Sequence, residues 1–120
     1  MTTLDPAAFA AGWVADWNAH DLDRVLRHYA QDVVFRSPVA ARVRPESGGV
    51  LHGKEALADY WAAALPLNPD LHFTLEETFA SVGGLTILYR NQRGQQVAET
   101  LVFDAEGLVV FGLAAYAPQG

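Results

Sequence analysis

Trp17-Asn18-Ala19-His20-Asp21-Leu22-Asp23-Arg24-Val25-Leu26-Arg27-His28-Tyr29-Ala30-Gln31-Asp32-Val33-Val34-Phe35-Arg36-Ser37-Pro38 is the stretch that decides the fold. Asn18-Ala19-His20 interrupts a helical pattern, and Asp21 then offers a side-chain oxygen to cap a new helix. In that second helix Leu22, Val25, Leu26 and Tyr29 fall on one face. Val33-Val34-Phe35 reads as a short apolar strand, stopped by Ser37-Pro38 because proline has no N–H for a ladder.

Upstream, Asp5-Pro6 is a helix start, with aspartate as cap and proline at the first helical position. Phe9, Ala10, Trp13, Val14 and Trp17 give the first helix one apolar face. Downstream, the thirteen residues from Val39 to Leu51 are long for a connection and predict either disorder or a lid over a site. Gly53-Lys54-Glu55 opens a third helix, with Leu57, Tyr60, Trp61, Ala64 and Leu65 on its apolar side until Pro66 stops it. Four strands follow, Leu71 to Ala80, Leu85 to Asn91, Val97 to Asp104 and Leu108 to Tyr116, with hairpin turns at Arg93-Gly94 and Glu106-Gly107. The pattern predicts one α+β domain over residues 1–120, three helices covering one face of a curved antiparallel sheet and a pocket between the two layers.

Composition narrows the function. The chain has 120 residues and net charge −6, and its eight basic residues are scattered rather than striped, which argues against nucleic acid or an anionic membrane as partner. No apolar run approaches the roughly 20 residues of a membrane span, and Met1-Thr2-Thr3-Leu4-Asp5-Pro6 does not read as a signal peptide. Cysteine is absent, so disulfides, thiolate catalysis and cysteine-held metals are excluded, and a cytoplasmic setting is expected. Thirteen aromatic residues are enough to line an apolar cavity.

No phosphate-binding glycine loop, dinucleotide fingerprint or His-Glu-x-x-His occurs. His20, His28, His52 and His72 show no metal spacing and read as surface or pocket-rim residues, so neither a metal nor an organic cofactor is expected. Glu99, inside the apolar strand Val97 to Phe103, is the acid of most interest. With a two-residue turn at Arg93-Gly94, Leu88 lies opposite Glu99, and Glu99, Leu101 and Phe103 share a face with Thr86, Leu88 and Arg90. Glu99 is then either a desolvated carboxyl lining the cavity and able to move a proton near neutrality, or half of an outer-face ion pair with Arg90. Asp16 and His20, one helical turn apart, are a candidate proton-transfer pair, although Asp16 also fits a solvated face. Arg36 is either turned toward an anionic substrate or an exposed salt-bridging residue.

From about Pro6 to Tyr116, the order helix, helix, short strand, helix, four strands resembles the nuclear transport factor 2-like superfamily. Those cone-shaped α+β barrels include SnoaL-like polyketide cyclases and ketosteroid isomerases. Tyr29-Ala30-Gln31-Asp32 and Phe103-Asp104-Ala105-Glu106-Gly107 carry the likeness together with their spacing. The resemblance implies that Glu99 corresponds to the isomerase acid kept protonated as an oxyanion donor, which favours the pocket face. It also implies two departures. Ser37 stands before Pro38 where the isomerases place their aspartate base, and Trp13 stands where they place a tyrosine donor. Tyr29, Trp61 and Tyr116 match aromatic pocket positions.

Three functions follow as expectations. The first is cofactor-independent acid–base chemistry on a hydrophobic small molecule, of isomerase, cyclase or hydrolase type, with Glu99, Ser37 and Asp16 as candidate catalytic residues. The second is a non-catalytic binding module. In either, the ligand is expected against Trp13, Trp17, Tyr29, Phe35, Trp61, Leu88, Leu101, Phe103 and Tyr116. The third is a dimerisation domain, since Val109 to Ala115 would expose apolar side chains on both faces of an isolated sheet. A homodimer through the sheet is expected on that ground.

Overall fold

The computed structural model describes residues 4–118; Met1 to Thr3, part of the segment read for a signal peptide, and residues 119 and 120 lie outside it. Asp5 caps α1 (Pro6–Asn18) by accepting hydrogen bonds from the Ala7 and Ala8 N–H groups. Asp21 caps α2 (Leu22–Leu26) by accepting from Arg24 N–H. The second helix is only five residues long, so Tyr29 does not extend its face but begins β1 (Tyr29–Arg36). The predicted Val33–Phe35 strand is thus the inner part of a longer one.

The segment predicted as disordered or a lid is ordered secondary structure, and its residues Val39, Arg42, Val43 and Arg44 line the cavity between helices and sheet. Ser37 caps α3 (Pro38–Val43) by accepting from Val39 N–H at 3.1 Å. A 3-10 turn (Pro45–Ser47) then leads into β2 (Val50–His52), which returns antiparallel to β1. Proline read as a strand stop also serves as a helix start here, because its fixed φ suits the first turn. Among the described residues there are therefore four α-helices rather than three, the last being α4 (Lys54–Ala64).

Strands β3 (Thr74–Ser81), β4 (Gly84–Arg90), β5 (Gln96–Phe103) and β6 (Val109–Tyr116) complete a six-stranded sheet of order β2-β1-β6-β5-β4-β3. The sheet is curved and unclosed, with β2 and β3 at its edges. It is not wholly antiparallel, because β1 runs parallel to β6 in the middle of the order. Gly112 on β6 is where β1 packs most closely, since an added Cβ would stand 2.7 Å from Phe35 Cδ1.

The β4–β5 register differs by one residue from that predicted. Ile87, not Leu88, pairs with Glu99, and Arg90 pairs with Gln96. Asn91 N–H donates to Gln95 O at 3.0 Å, so the loop proper is Gln92-Arg93-Gly94. Its glycine sits at φ 75°. Such a three-residue loop needs a left-handed position, which glycine takes without strain. Because side chains alternate, the extra turn residue exchanges the partners: Leu85, Ile87 and Tyr89 join Glu99 inside, and Leu88 faces out.

Candidate functional site

Two aromatic layers frame a cavity between helices and sheet. Trp61 of α4 packs edge-on against Trp17 at 4.9 Å, Tyr29 at 5.1 Å and Phe35 at 5.8 Å between ring centroids. Trp13 of α1 lies beside Phe73 at 5.9 Å and Tyr89 at 5.6 Å. Phe73 is held by Asn18, whose side chain both donates to Phe73 O at 2.9 Å and accepts from Phe73 N–H at 2.7 Å. His20, the one non-glycine residue with positive φ among those described, fixes the same segment through Nε2 and Leu71 O at 2.9 Å. The end of α1 thereby positions the chain that walls the cavity.

The cavity has a volume of about 550 Å³, within the range of small-molecule sites. Trp13, Trp17, Phe35, Ser37, Trp61, Glu99 and Tyr116 all line it. Tyr29 stands behind that surface, buried, with its hydroxyl accepting from Trp13 Nε1 at 3.1 Å. The Trp13 donor offered by the isomerase likeness is therefore engaged within the protein. Leu101 is wholly buried in the core, and Phe103 packs on Phe9 at 5.0 Å; neither is a lining residue. Leu88 lies on the opposite face of the sheet, for the register reason given above.

Asp16 does not join the site. It meets His28, not His20, at 2.9 Å, across the α1–α2 corner. Arg36 is exposed and lies over the Phe111 ring at 5.9 Å, outside the cavity. Arg90 pairs with Glu76 at 2.8 Å, so the alternative Arg90–Glu99 pair does not form.

Glu99 is 4% exposed and turns into the cavity. Its Oε1 accepts from the Tyr89 hydroxyl at 3.0 Å, and among the described residues Oε2 has no protein hydrogen bond. Burial pushes the Glu99 carboxyl up to about 7, and the Tyr89 bond only partly opposes this. Near neutrality the group thus exists in both protonation states. Tyr89 and Tyr29 are raised chiefly by burial and further by the Glu99 charge, so both remain protonated donors.

A second polar group faces the same space. Tyr60 is raised to about 12 by burial, and Tyr116 is also raised, with burial again the main cause. The Glu99 charge raises both phenols further, whereas the Ser37 hydroxyl and the positive charge of Arg42 each pull them partly back. Ser37 is therefore the cap of α3 and also lines the cavity along with Tyr60 and Tyr116. Trp17 Nε1 and Gln92 Oε1, on lining residues, are buried without a protein partner among those described. Tyr60, Tyr89 and Arg42 were absent from the sequence-predicted site. A three-residue reading of Asn91 to Gln95 would have brought in Tyr89; nothing local marks Arg42. The described residues hold no cluster of three or more potential metal ligands.

Residues 10–114 match the model of the SnoaL-like domain family. A SnoaL-like protein of unknown function from Burkholderia thailandensis is 40% identical, with 94% of each chain covered and a TM-score of 0.89. An NTF2-like protein of unknown function from Burkholderia pseudomallei is 15% identical over 95% of this chain and 92% of its own, with a TM-score of 0.74. TerC, co-crystallised with polyporic acid, is 13% identical over 94% and 92% of the two chains, also at a TM-score of 0.74. The curated proteins give no match.

Proposed function

Since this chain belongs to the SnoaL-like domain family, we propose that it binds a hydrophobic small molecule in the cavity and moves a proton on it through Glu99. The observation that carries this reading is a buried carboxyl, poised near 7, on the wall of an aromatic cavity. A proton-transfer group works best when its pKa lies near the working pH. Tyr89 orients Oε1 and leaves Oε2 toward the bound molecule. As a carboxylate Glu99 takes a proton from a carbon next to a carbonyl; once protonated, it returns that proton to another position. The hydroxyls of Ser37, Tyr60 and Tyr116 are donors for the oxygen on which charge develops. No step in this scheme draws on a metal or organic cofactor.

The test is deuterium uptake by 2-tetralone, an apolar bicyclic ketone, followed by NMR in D2O. The protein should accelerate exchange of the protons next to the carbonyl. Glu99→Gln should lower that acceleration by about 100-fold or more, while thermal melting shows the fold intact. Equal rates for the two proteins would remove Glu99 from the mechanism. A second reading, binding without chemistry, has its own support: Ser37 replaces a base and is committed to capping α3. Ligand binding with no exchange above buffer would favour it.

The outer face of the sheet supports a homodimer. Val102 is 38% exposed and Leu113 39%, next to half-buried Leu88 and Phe111. An apolar patch of this kind calls for a cover, and a second copy supplies a matching one. Light scattering at micromolar concentration should give a dimer, and Val102→Glu with Leu113→Glu a monomer. A monomeric parent protein would defeat this part of the proposal.

A further inference from the structure

Large side chains occupy every place beside Glu99 on the inner face of the sheet but two, and Phe35 covers one of those. Across the ladder Glu99 stands between Ile87 on β4 and Ala114 on β6, and on its own strand between Val97 and Leu101. Ile87 and Leu101 are wholly buried in the core and do not line the cavity. On the β4 diagonals Leu85 is packed in the same core, and the Tyr89 hydroxyl is bonded to Oε1. Gly112, on a β6 diagonal, leaves no gap, because an added Cβ would stand 2.7 Å from Phe35 Cδ1. Ala114 differs from all of these. It is 3% exposed yet lines the cavity, so the space above its methyl is cavity floor. Directly paired residues keep their Cβ atoms about 4.5–5.5 Å apart, which puts this space beside the Glu99 carboxyl. Oε2, the carboxyl oxygen without a protein hydrogen bond among the described residues, is the atom left for whatever occupies it.

We infer that Ala114 is the specificity-determining position of the site: the reacting carbon sits over its methyl, against Glu99 Oε2, and is an unbranched CH2 next to a ketone carbonyl. The inference rests on proton transfer by Glu99, as proposed above, and deepens that reading by naming the substrate class. The proton of the breaking C–H bond passes to Oε2, and its electron pair moves to the ketone oxygen. Tyr116, two residues beyond Ala114 on the same face and also on the cavity wall, is a donor for that oxygen. A methyl branch on the reacting carbon competes for the space between the Ala114 methyl and the Phe35 ring that covers Gly112. One methylene more or less in a close apolar pocket changes the rate about 10- to 200-fold, so a wall this near selects against branching.

The experiment compares 2-tetralone with 1-methyl-2-tetralone, following deuterium uptake at the benzylic carbon of each ketone by NMR in D2O. Each rate is divided by the rate in buffer alone, which removes the difference in intrinsic acidity. The parent protein should favour the unbranched ketone by about tenfold or more. Ala114→Gly takes the methyl off the floor and should raise the relative rate of the branched ketone about tenfold, a gain that a damaged fold does not give. Ala114→Val, a residue suited to a strand, should slow uptake by 2-tetralone about tenfold or more, while thermal melting shows the fold intact. No preference in a parent protein whose exchange depends on Glu99 would overturn the inference and leave the proposed proton transfer standing. A preference that Ala114→Gly leaves unchanged would do the same, as would an intact Ala114→Val protein as fast as the parent. No acceleration with either ketone would overturn the proposed function and this inference with it.

Discussion

The two faces of the β4–β5 ribbon differ in both burial and polarity. Inside, Leu85, Ile87, Val97 and Leu101 surround a lone carboxyl, and its hydrogen-bond partner is a tyrosine two positions along the cross-strand ladder. Outside, Thr86 and Thr100 share a hydrogen bond at 2.9 Å, Arg90 pairs with Glu76, and Val102 meets solvent. Polar groups on the outer face are matched by neighbours, and hydrogen bonds from Gln96 and Arg90 hold the Glu76 carboxyl below its ordinary value. The inner face buries Glu99 and gives it one protein partner, which is what raises its proton affinity. On the function proposed above, the same strands carry a chemical face and an associative face.

The largest expected break of that contrast is in stability. Ile87→Ala removes buried methylene groups and should cost about 3–4 kcal/mol, whereas Leu88→Ala on the opposite face should cost about 1 kcal/mol. Urea denaturation at matched protein concentration measures both. Similar costs would mean that the faces are not as unequal as the register makes them.

Next in size is the pH dependence set by Glu99. Its carboxyl rises from an ordinary value of 4.5 to about 7 on folding. Between those values the unfolded chain has lost the proton and the folded chain keeps it, so stability falls as pH rises from 4.5 toward 7 and levels off above. At about 1.4 kcal/mol per unit the full drop is about 3 kcal/mol. In Glu99→Gln this component should vanish, leaving a flatter stability profile over that window. A parent profile already flat there would show that the carboxyl is solvated. The smallest effect belongs outside: Thr100→Ala should cost under about 1 kcal/mol, read by the same denaturation.

Most of the architecture was legible because it rests on local chemistry. Asp5 and Asp21 act as caps, Pro66 lies just beyond α4, and the four C-terminal strands lie within a few residues of their predicted bounds. What escaped depends on partners distant in sequence or on a single residue of loop length. The region after Pro38 looked like a loop because α3 and β2 are short and draw their stability from β1 and α4, with no strong pattern of their own. Glu99 could be singled out as a carboxyl in an apolar strand, but its neighbours could not: one added residue in the Gln92–Gly94 loop exchanges Leu88 for Tyr89. Asp16 was linked to His20 because the helix brings them together, whereas the corner between α1 and α2 brings His28 closer.

The parallel pairing of β1 with β6 also governs how the chain can come together. Residues 29–36 find their central partner only in residues 109–116, so the middle of the sheet cannot assemble until the last strand is available. A chain emerging from the ribosome must hold Trp13, Trp17 and Trp61 without their final cover for most of its synthesis. Such a species is slow to close and prone to associate, since long-range pairings must form before local apolar surfaces are protected. The architecture that encloses the Glu99 carboxyl is thus completed last, by the strand at residues 109–116.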